Sequence, residues 1–410
     1  MKKETSAVIG IAAVLLILCS AFCGAAAADG GNVAKIGTAE YATVLEAVNA
    51  AQPGDTIEMI ADSAEPMITI DKEIILNLAG HVLRNSETGS VLLIPEPGNL
   101  TIIDEKAANI PADTPHYFTF VKAGPWKLET TAPAAGTTVD LADFDRAAAE
   151  AAPEDSYHIK VSGGVVTGGS GSGHGGAVNI FRGLFTLSGG NLVGNTADSG
   201  GGAVYVGSDI STVTMNNGTI AGNWTPNGGG AVYVAVESRF AMNGGKIIGN
   251  AAGTVGGAVN VTDGTFAVSG GSITQNSAGV TGGAVYVDEG CTLTVSGAPV
   301  IRDNKAGGNV NNVYLASGKI IITGALKNGA AIGVVKAGAE SADAFAQGTS
   351  SYTVTADDAR IFSSDSGSLA AAADSNVLKW STKPAATPAP FLSILAGLGA
   401  AAAAVRMRRK

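Results

Sequence analysis

Asp209, Glu237, Asp263, Asp288 and Glu289 are the residues whose type and spacing most directly suggest chemistry. They fall 3, 3, 2, 1 and 2 residues after the last valine of a Val-x-Val stretch, in four successive copies of one repeated phrase. If the copies stack like coils about 4.8 Å apart, these carboxylates line up along one edge. Carboxylates so placed repel by roughly 1 kcal/mol per pair in water. A bound Ca²⁺, which accepts a flexible set of oxygen ligands, would relieve that repulsion, and Arg239 could do part of the same work. The plainer reading is a row of solvated acids on short exposed loops. Calcium is the one cofactor the sequence suggests.

Those loops belong to a repeat. Gly-Gly-Ala-Val begins at Gly175, Gly201, Gly229, Gly256 and Gly282, at intervals of 26, 28, 27 and 26 residues. Asn195, Asn223, Asn250, Asn276 and Asn304 keep step with it. A unit this short is one turn of a stacked array that hides its apolar face against the next. The expected class is all-β, a right-handed parallel β-helix of about 26–28 residues per coil. In Ala203-Val204-Tyr205-Val206 and its equivalents the second and fourth positions are always Val or Ile, while the third is Tyr or Asn. Strand alternation puts the aliphatics inside and Tyr or Asn outside. A second strand carries the inward pairs Phe185/Leu187, Val213/Met215, Phe240/Met242, Phe266/Val268 and Leu293/Val295. A third carries Leu192, Ile220, Ile247 and Ile273. Three short strands per coil are expected.

Length variation falls between the first and second strands, whereas each of the first four asparagines lies 6 residues before the next Gly pair. A corner of constant length is a packed corner. The asparagines there suit a left-handed turn and a stacked hydrogen-bonded ladder.

Composition sets the outer limits. The 410 residues include 57 Gly, carry a net charge of −10 and are only 15% charged. Nucleic acid is not an expected partner, because phosphate binding needs clustered Lys and Arg. Residues 1–28 read as a signal peptide: Lys2 and Lys3, an apolar run from Ala7 to Leu18, then Ala26-Ala27-Ala28. Cleavage there leaves Cys291 as the only cysteine, so stability rests on stacking and not on disulfides.

Residues 29–104 should form an N-terminal cap and the first coils, with a helix over Tyr41–Ala51 covering the open core. Strands are expected at Thr56–Ile60, Ile68–Ile70, Ile74–Leu78 and Val91–Ile94. Residues 105–158 break the rhythm and read as an insertion standing off the rod. It would hold a hairpin of Tyr117–Phe120 with Trp126–Leu128, and a helix over Asp140–Ala151 capped by Asp140. Regular coils run over 159–318, and closing strands at Lys319–Gly324, Ile332–Val335 and Tyr352–Thr355 fill 319–380. Residues 381–390 are a Pro/Ala/Thr spacer. Residues 391–410 are an apolar anchor or sorting tail with a basic end. The apolar part, Phe391–Val405, would span about 22 Å as a helix, short of a roughly 30 Å hydrocarbon core.

These coils resemble the pectin-lyase-like superfamily of right-handed β-helices, over roughly residues 36–335. The likeness is strongest to adhesin-like surface proteins, whose phrase is matched here by Asn243-Gly244-Gly245-Lys246-Ile247-Ile248-Gly249-Asn250. The tail, with Pro388, Pro390 and Phe391 before Arg406, Arg408 and Arg409, resembles the PGF-CTERM type handled by archaeosortases; it is not an LPxTG motif. The resemblance implies a secreted protein held at the cell surface by its tail at the membrane, binding glycans or other envelope components without catalysis.

The alternative is a polysaccharide lyase or glycoside hydrolase. Gly173-His174-Gly175 resembles the Gly-His-Gly of polygalacturonase-type enzymes, but Asn195-Thr196-Ala197-Asp198 departs from their Asn-Thr-Asp. Asp357-Asp358 lies outside the array, and Arg182, Arg239 and Arg302 sit in no lyase motif. Asn99, Asn217, Asn223 and Asn260 open Asn-x-Thr sequons, which an exported protein can carry glycosylated.

Overall fold

A computed structural model describes residues 31–105, 115–134, 138–171, 173–338, 343–367 and 369–381. It is a β-solenoid of about ten turns, all-β in class with few helices. Each strand pairs in parallel with its equivalent one coil away. Val204, Val232, Val259, Val285 and Val313 form one continuous file in that register. Val204, Val206, Val232, Val234, Val259 and Val285 are all 0% exposed, as the alternation requires. The second-strand pairs and Leu192, Ile220, Ile247 and Ile273 share the same core.

Each regular coil holds a fourth strand of two residues that the pattern does not announce. Thr196–Ala197, Trp224–Thr225, Ala251–Ala252, Ser277–Ala278 and Lys305–Ala306 belong to a separate seven-stranded sheet. Two residues are too few to display alternation. The one trace is the small inward residue two places after each Asn: Ala197, Thr225, Ala252, Ala278 and Ala306 are all buried.

The asparagine corner corrects one expectation and bears out another. The left-handed residue is the one before each Asn: Gly194, Gly222, Gly249, Gln275 and Asp303 have φ of 67°, 58°, 69°, 58° and 59°. The asparagines point inward and form the ladder. Asn195 Nδ2 donates to Asn223 Oδ1 at 3.0 Å, Asn223 to Asn250 at 2.9 Å, Asn250 to Asn276 at 3.0 Å and Asn276 to Asn304 at 3.0 Å. Each acceptor oxygen also takes the backbone N–H of the preceding Asn. The file continues beyond the repeat. Asn304 donates to Asn312 at 2.9 Å, and Asn312 donates its N–H and Nδ2 to the Asp365 carboxylate at 2.6 and 2.9 Å.

At the N-terminal end the helix is Val44–Ala50, with Thr43 as its N-cap. It seats Val44, Ala47 and Val48 on the first coil, and the buried Glu65 carboxylate accepts the N–H groups of Val44 and Leu45. The four strands expected behind it form within a residue or two, at Asp55–Met59, Ile68–Thr69, Glu73–Asn77 and Leu92–Pro95. At the C-terminal end Ile320–Leu326 and Ala331–Lys336 are strands, but Tyr352–Thr355 is not. Thr355 instead caps the short helix Ala356–Ala359 through a reciprocal bond pair with Asp358. The hairpin of Ala370–Asp374 with Val377–Ser381 closes the stack.

The segment expected to stand off the rod lies against it. Pro115–Thr119, Lys127–Leu128, Thr138–Asp140 and His158–Ser162 make a four-stranded side sheet, with the expected hairpin between the first two. The expected helix is split: a 3₁₀ turn, Leu141–Asp143, follows Asp140, whose side chain makes no capping bond, and the α-helix Arg146–Ala151 is capped by Asp145, since Phe144 turns inward between them to pack on Trp126. Phe118, Phe120, Trp126, Phe144, Ile159 and Val161 share one apolar cluster with Val193, Ala221 and Ile248 of the coils. Arg146, 4% exposed, donates to the carbonyls of Gly249, Asn250 and Gln275. This contact explains the glycines of the asparagine corner. A Cβ on Gly222 would overlap the Trp126 ring, and one on Gly249 would come 2.6 Å from it; further along the rod the equivalents are Gln275 and Asp303.

Two predictions follow from this packing. Gly222→Ala combines a left-handed φ with that overlap and should cost about 2 kcal/mol or more. A thermal melt superimposable on the wild type would show that Trp126 does not pack there. The second concerns Asp365, whose pKa burial raises above 3.8 against the pull of the Asn312 donors. A raised folded pKa means that the native state holds the proton more tightly than the unfolded chain. The stability Asp365 contributes is therefore full below the unfolded value and is lost as pH rises through the folded one. Asp365→Asn, which continues the amide file, should match the wild type in acid and gain on it as pH rises through the folded pKa. Denaturant unfolding at several pH values would expose the opposite trend.

Candidate functional site

The outward position of the first strand builds the most distinctive surface of the rod. Parallel register places Asn179, Tyr205, Tyr233, Asn260, Tyr286 and Tyr314 in one file. Tyr205 and Tyr233 lie 5.7 Å apart between ring centroids, and so do Tyr286 and Tyr314, the latter pair within 7° of parallel. Asn260 separates the two pairs. His174 extends the file, its ring stacked on Tyr205 at 3.9 Å and 18°. One coil on, the residue equivalent to His174 is Gly200, where a Cβ would meet the Tyr233 ring at 2.6 Å. Gly207 is bare for the same reason, since a Cβ there would overlap Tyr205.

The electrostatics of the file are those of neutral groups. Burial pushes the Tyr205 phenol upward, with the neighbouring Tyr233 adding to it. Tyr286 is raised by burial and by Asp288, whose carboxylate accepts its hydroxyl at 3.3 Å. Burial lowers His174, so its ring is neutral near pH 7. Its Nδ1 and Asn260 Oδ1 are two of the three buried side-chain polar atoms without a hydrogen-bond partner among the described residues. Tyrosines of this kind supply rigid amphipathic contact area at low entropic cost. The alternation argument placed Tyr and Asn outside without identifying them as a site. The signal was present in their occupying the same third position of each copy.

The five acids of the loop edge are partly answered from within the protein. Asp209 accepts from Arg182 at 3.2 Å, and Arg182 also pairs with Glu96 at 2.8 Å. Arg182, rather than Arg239, therefore carries the neutralising role at that end. Asp288 binds Tyr286 and the Glu289 N–H. Glu237 sits in a left-handed turn with Val236, at φ of 54° and 52°. Among the described residues, Asp209, Glu237, Asp263, Asp288 and Glu289 included, no group of three or more His, Cys, Asp or Glu is placed to hold a metal ion. The same edge exposes Phe181, Leu184, Ile210 and Val236, so it is more apolar than its acids suggest.

The sequons separate by burial. Asn223 is 1% exposed within the ladder and Asn260 is 3% exposed beneath the tyrosines, so neither has room for a glycan in the folded protein. Asn99 is half-buried in a strand, and Asn217 is exposed. Asp358 is likewise structural: it takes the Tyr352 hydroxyl, which burial and that carboxylate push up to about 12. Cys291 is a half-buried free thiol, raised by burial. Residues 1–28, expected to be a signal peptide, and Pro388, Pro390, Phe391, Arg406, Arg408 and Arg409 lie outside the described residues. Among those described, no helix is long and apolar enough to cross a membrane.

Fold and surface thus define a capped, parallel β-solenoid with a tyrosine file along one face. No protein family, curated protein or solved structure matches the chain.

Proposed function

We propose that this chain is a non-catalytic, adhesin-like rod of the cell surface that binds glycans through its tyrosine file. The observation that carries the reading is the repetition of half-buried phenol rings at the coil spacing, Tyr205 with Tyr233 and Tyr286 with Tyr314, along one face. Such a face offers flat apolar rings to the carbon-bound faces of sugars and hydroxyls to their edges. A polymer lying along the rod would meet similar contacts coil after coil, and weak contacts repeated in this way sum to useful avidity. The secretory segment and the basic-ended apolar tail support export and retention at the envelope.

A glycan array probed with the full chain, run beside a polysaccharide-degradation screen, tests the reading. Binding without product release is expected. Tyr233→Ala and Tyr286→Ala should each weaken the strongest array hits about tenfold, the lower range of what one stacked ring contributes elsewhere. Unchanged affinity in both variants, or sugar release by the wild type, would sink it. Deleting residues 388–410 should move the protein from the cell fraction to the medium. Continued retention on cells would show a different anchor.

A further inference from the structure

A second face of the rod is stripped of side chains. At the corner after the second strand the coils read Ser188-Gly189-Gly190, Asn216-Asn217-Gly218 and Asn243-Gly244-Gly245. Gly190, Gly218 and Gly245 have φ of 73°, 82° and 81°. A Cβ on Gly218 would come 2.6 Å from the Gly190 carbonyl, and one on Gly245 2.7 Å from the Gly218 carbonyl. Packing therefore keeps the floor bare at Gly190, Gly218 and Gly245, and of the three residues before them only Asn217 carries a side chain.

Polar rails flank this floor. On one side Asn216 reaches the Ser188 hydroxyl at 3.5 Å, Asn243 donates to Asn216 Oδ1 at 3.0 Å and Ser269 donates to Asn243 Oδ1 at 3.1 Å. On the other side Asn191, Thr219 and Lys246 follow one another in register. The N-terminal end is closed by Asp104, whose two oxygens accept the N–H groups of Gly80 and Gly164 at 2.7 and 2.8 Å and are thereby fixed. The result is a trough of about 520 Å³. It crosses three coil steps, roughly 14 Å along the rod at about 4.8 Å each.

The geometry points to this trough as a second ligand site, one that holds a short neutral oligosaccharide along the rod axis. The inference rests on the glycan-binding reading and adds a site separate from the tyrosine file. The volume lies in the ligand-sized range of roughly 300–1,000 Å³. Its contacts are hydroxyls, amides, backbone groups, the two carboxylates of Asp104 and Glu105 at one end and the single ammonium of Lys246. A polyanion such as nucleic acid meets too little positive charge and two carboxylates besides. A peptide finds no side-chain pockets. A chain dense in hydroxyls can donate to the carboxylate and amide oxygens and accept from the amide nitrogens and Lys246. Recognition is then by hydrogen bonding in the trough and by stacking on the tyrosine file.

The test is calorimetric titration of the full chain with two probes, a β-1,4-linked glucose tetrasaccharide and its N-acetylglucosamine counterpart. Asn217→Trp on the floor and Lys246→Trp on one rail each place a bulky ring in the trough, at exposed positions, and thermal melts check that both variants fold. Binding of at least one probe by the wild type is expected, with at least a tenfold loss in both tryptophan variants and none in Tyr233→Ala. Wild-type affinity in the folded tryptophan variants overturns the trough, and if Tyr233→Ala alone then loses binding, the tyrosine reading stands without it. Loss in Tyr233→Ala as well as in the tryptophan variants denies that the sites are separate. If neither probe binds while the array gives hits, the trough is wrong and the broader reading survives; an array without hits removes both.

Discussion

Parallel pairing between equivalent residues of successive coils is the constraint on which everything else in this protein depends. Every backbone donor in a coil must find its acceptor one coil away, and a slip of one residue would turn the inward valines outward. Register is held where the corners are rigid. The buried asparagine file does this by joining side chain to side chain and side chain to backbone between neighbouring coils, at 2.9–3.0 Å throughout the repeat. Asn195, Asn250, Asn276 and Asn304 are fully buried, so a missing partner would leave an unsatisfied polar group and cost about 1–3 kcal/mol. The network is stable because it is complete, down to the Asp365 carboxylate that ends it.

Freedom is distributed accordingly. The loops between first and second strands carry no such file, and there the chain tolerates changes of length, exposed Phe181 and Ile210, and the left-handed pair Val236–Glu237. The faces with functional potential lie between these extremes. The tyrosine file and the glycine trough inherit their spacing from the coils, while their outward chemistry is not dictated by the core. Repetition thus converts one outward position per coil into an extended surface, which a compact domain would need several distant segments to assemble.

The side sheet shows how the array is also bound laterally. Trp126 and Arg146 seat on the asparagine corner of successive coils, and the left-handed residues there are glycine where the Trp126 ring lies against them, at Gly222 and Gly249. Arg146 spends its donors on backbone carbonyls, which ties the side sheet to the same coils the asparagines hold together. The contact joins segments far apart in sequence, and nothing in the local pattern of either announces it. Asp145 rather than Asp140 caps the helix because Phe144 must first be delivered to that contact.

The repeat phrase by itself determined the coil, its inward and outward residues and the five-asparagine ladder, because each depends on contacts between equivalent positions that recur at a nearly constant interval. Whatever rests on contacts between unlike positions was decided only by the tertiary structure. Asn312 and Asp365 extend the ladder from outside the period, 8 and then 53 residues further along the chain, so periodicity could not reveal them. The two-residue fourth strand is too short for a pattern, and the docking of the side sheet depends on two surfaces that meet only after both have folded. The acids of the loop edge were legible as a row, but their relation to Arg182 and Glu96 was not, since the direction of a side chain on a loop is set by the turn that carries it. Asn223 and Asn260 open sequons yet are buried, and the motif could not show it for a related reason: a tripeptide carries no information about burial, which belongs to the stack of coils around it.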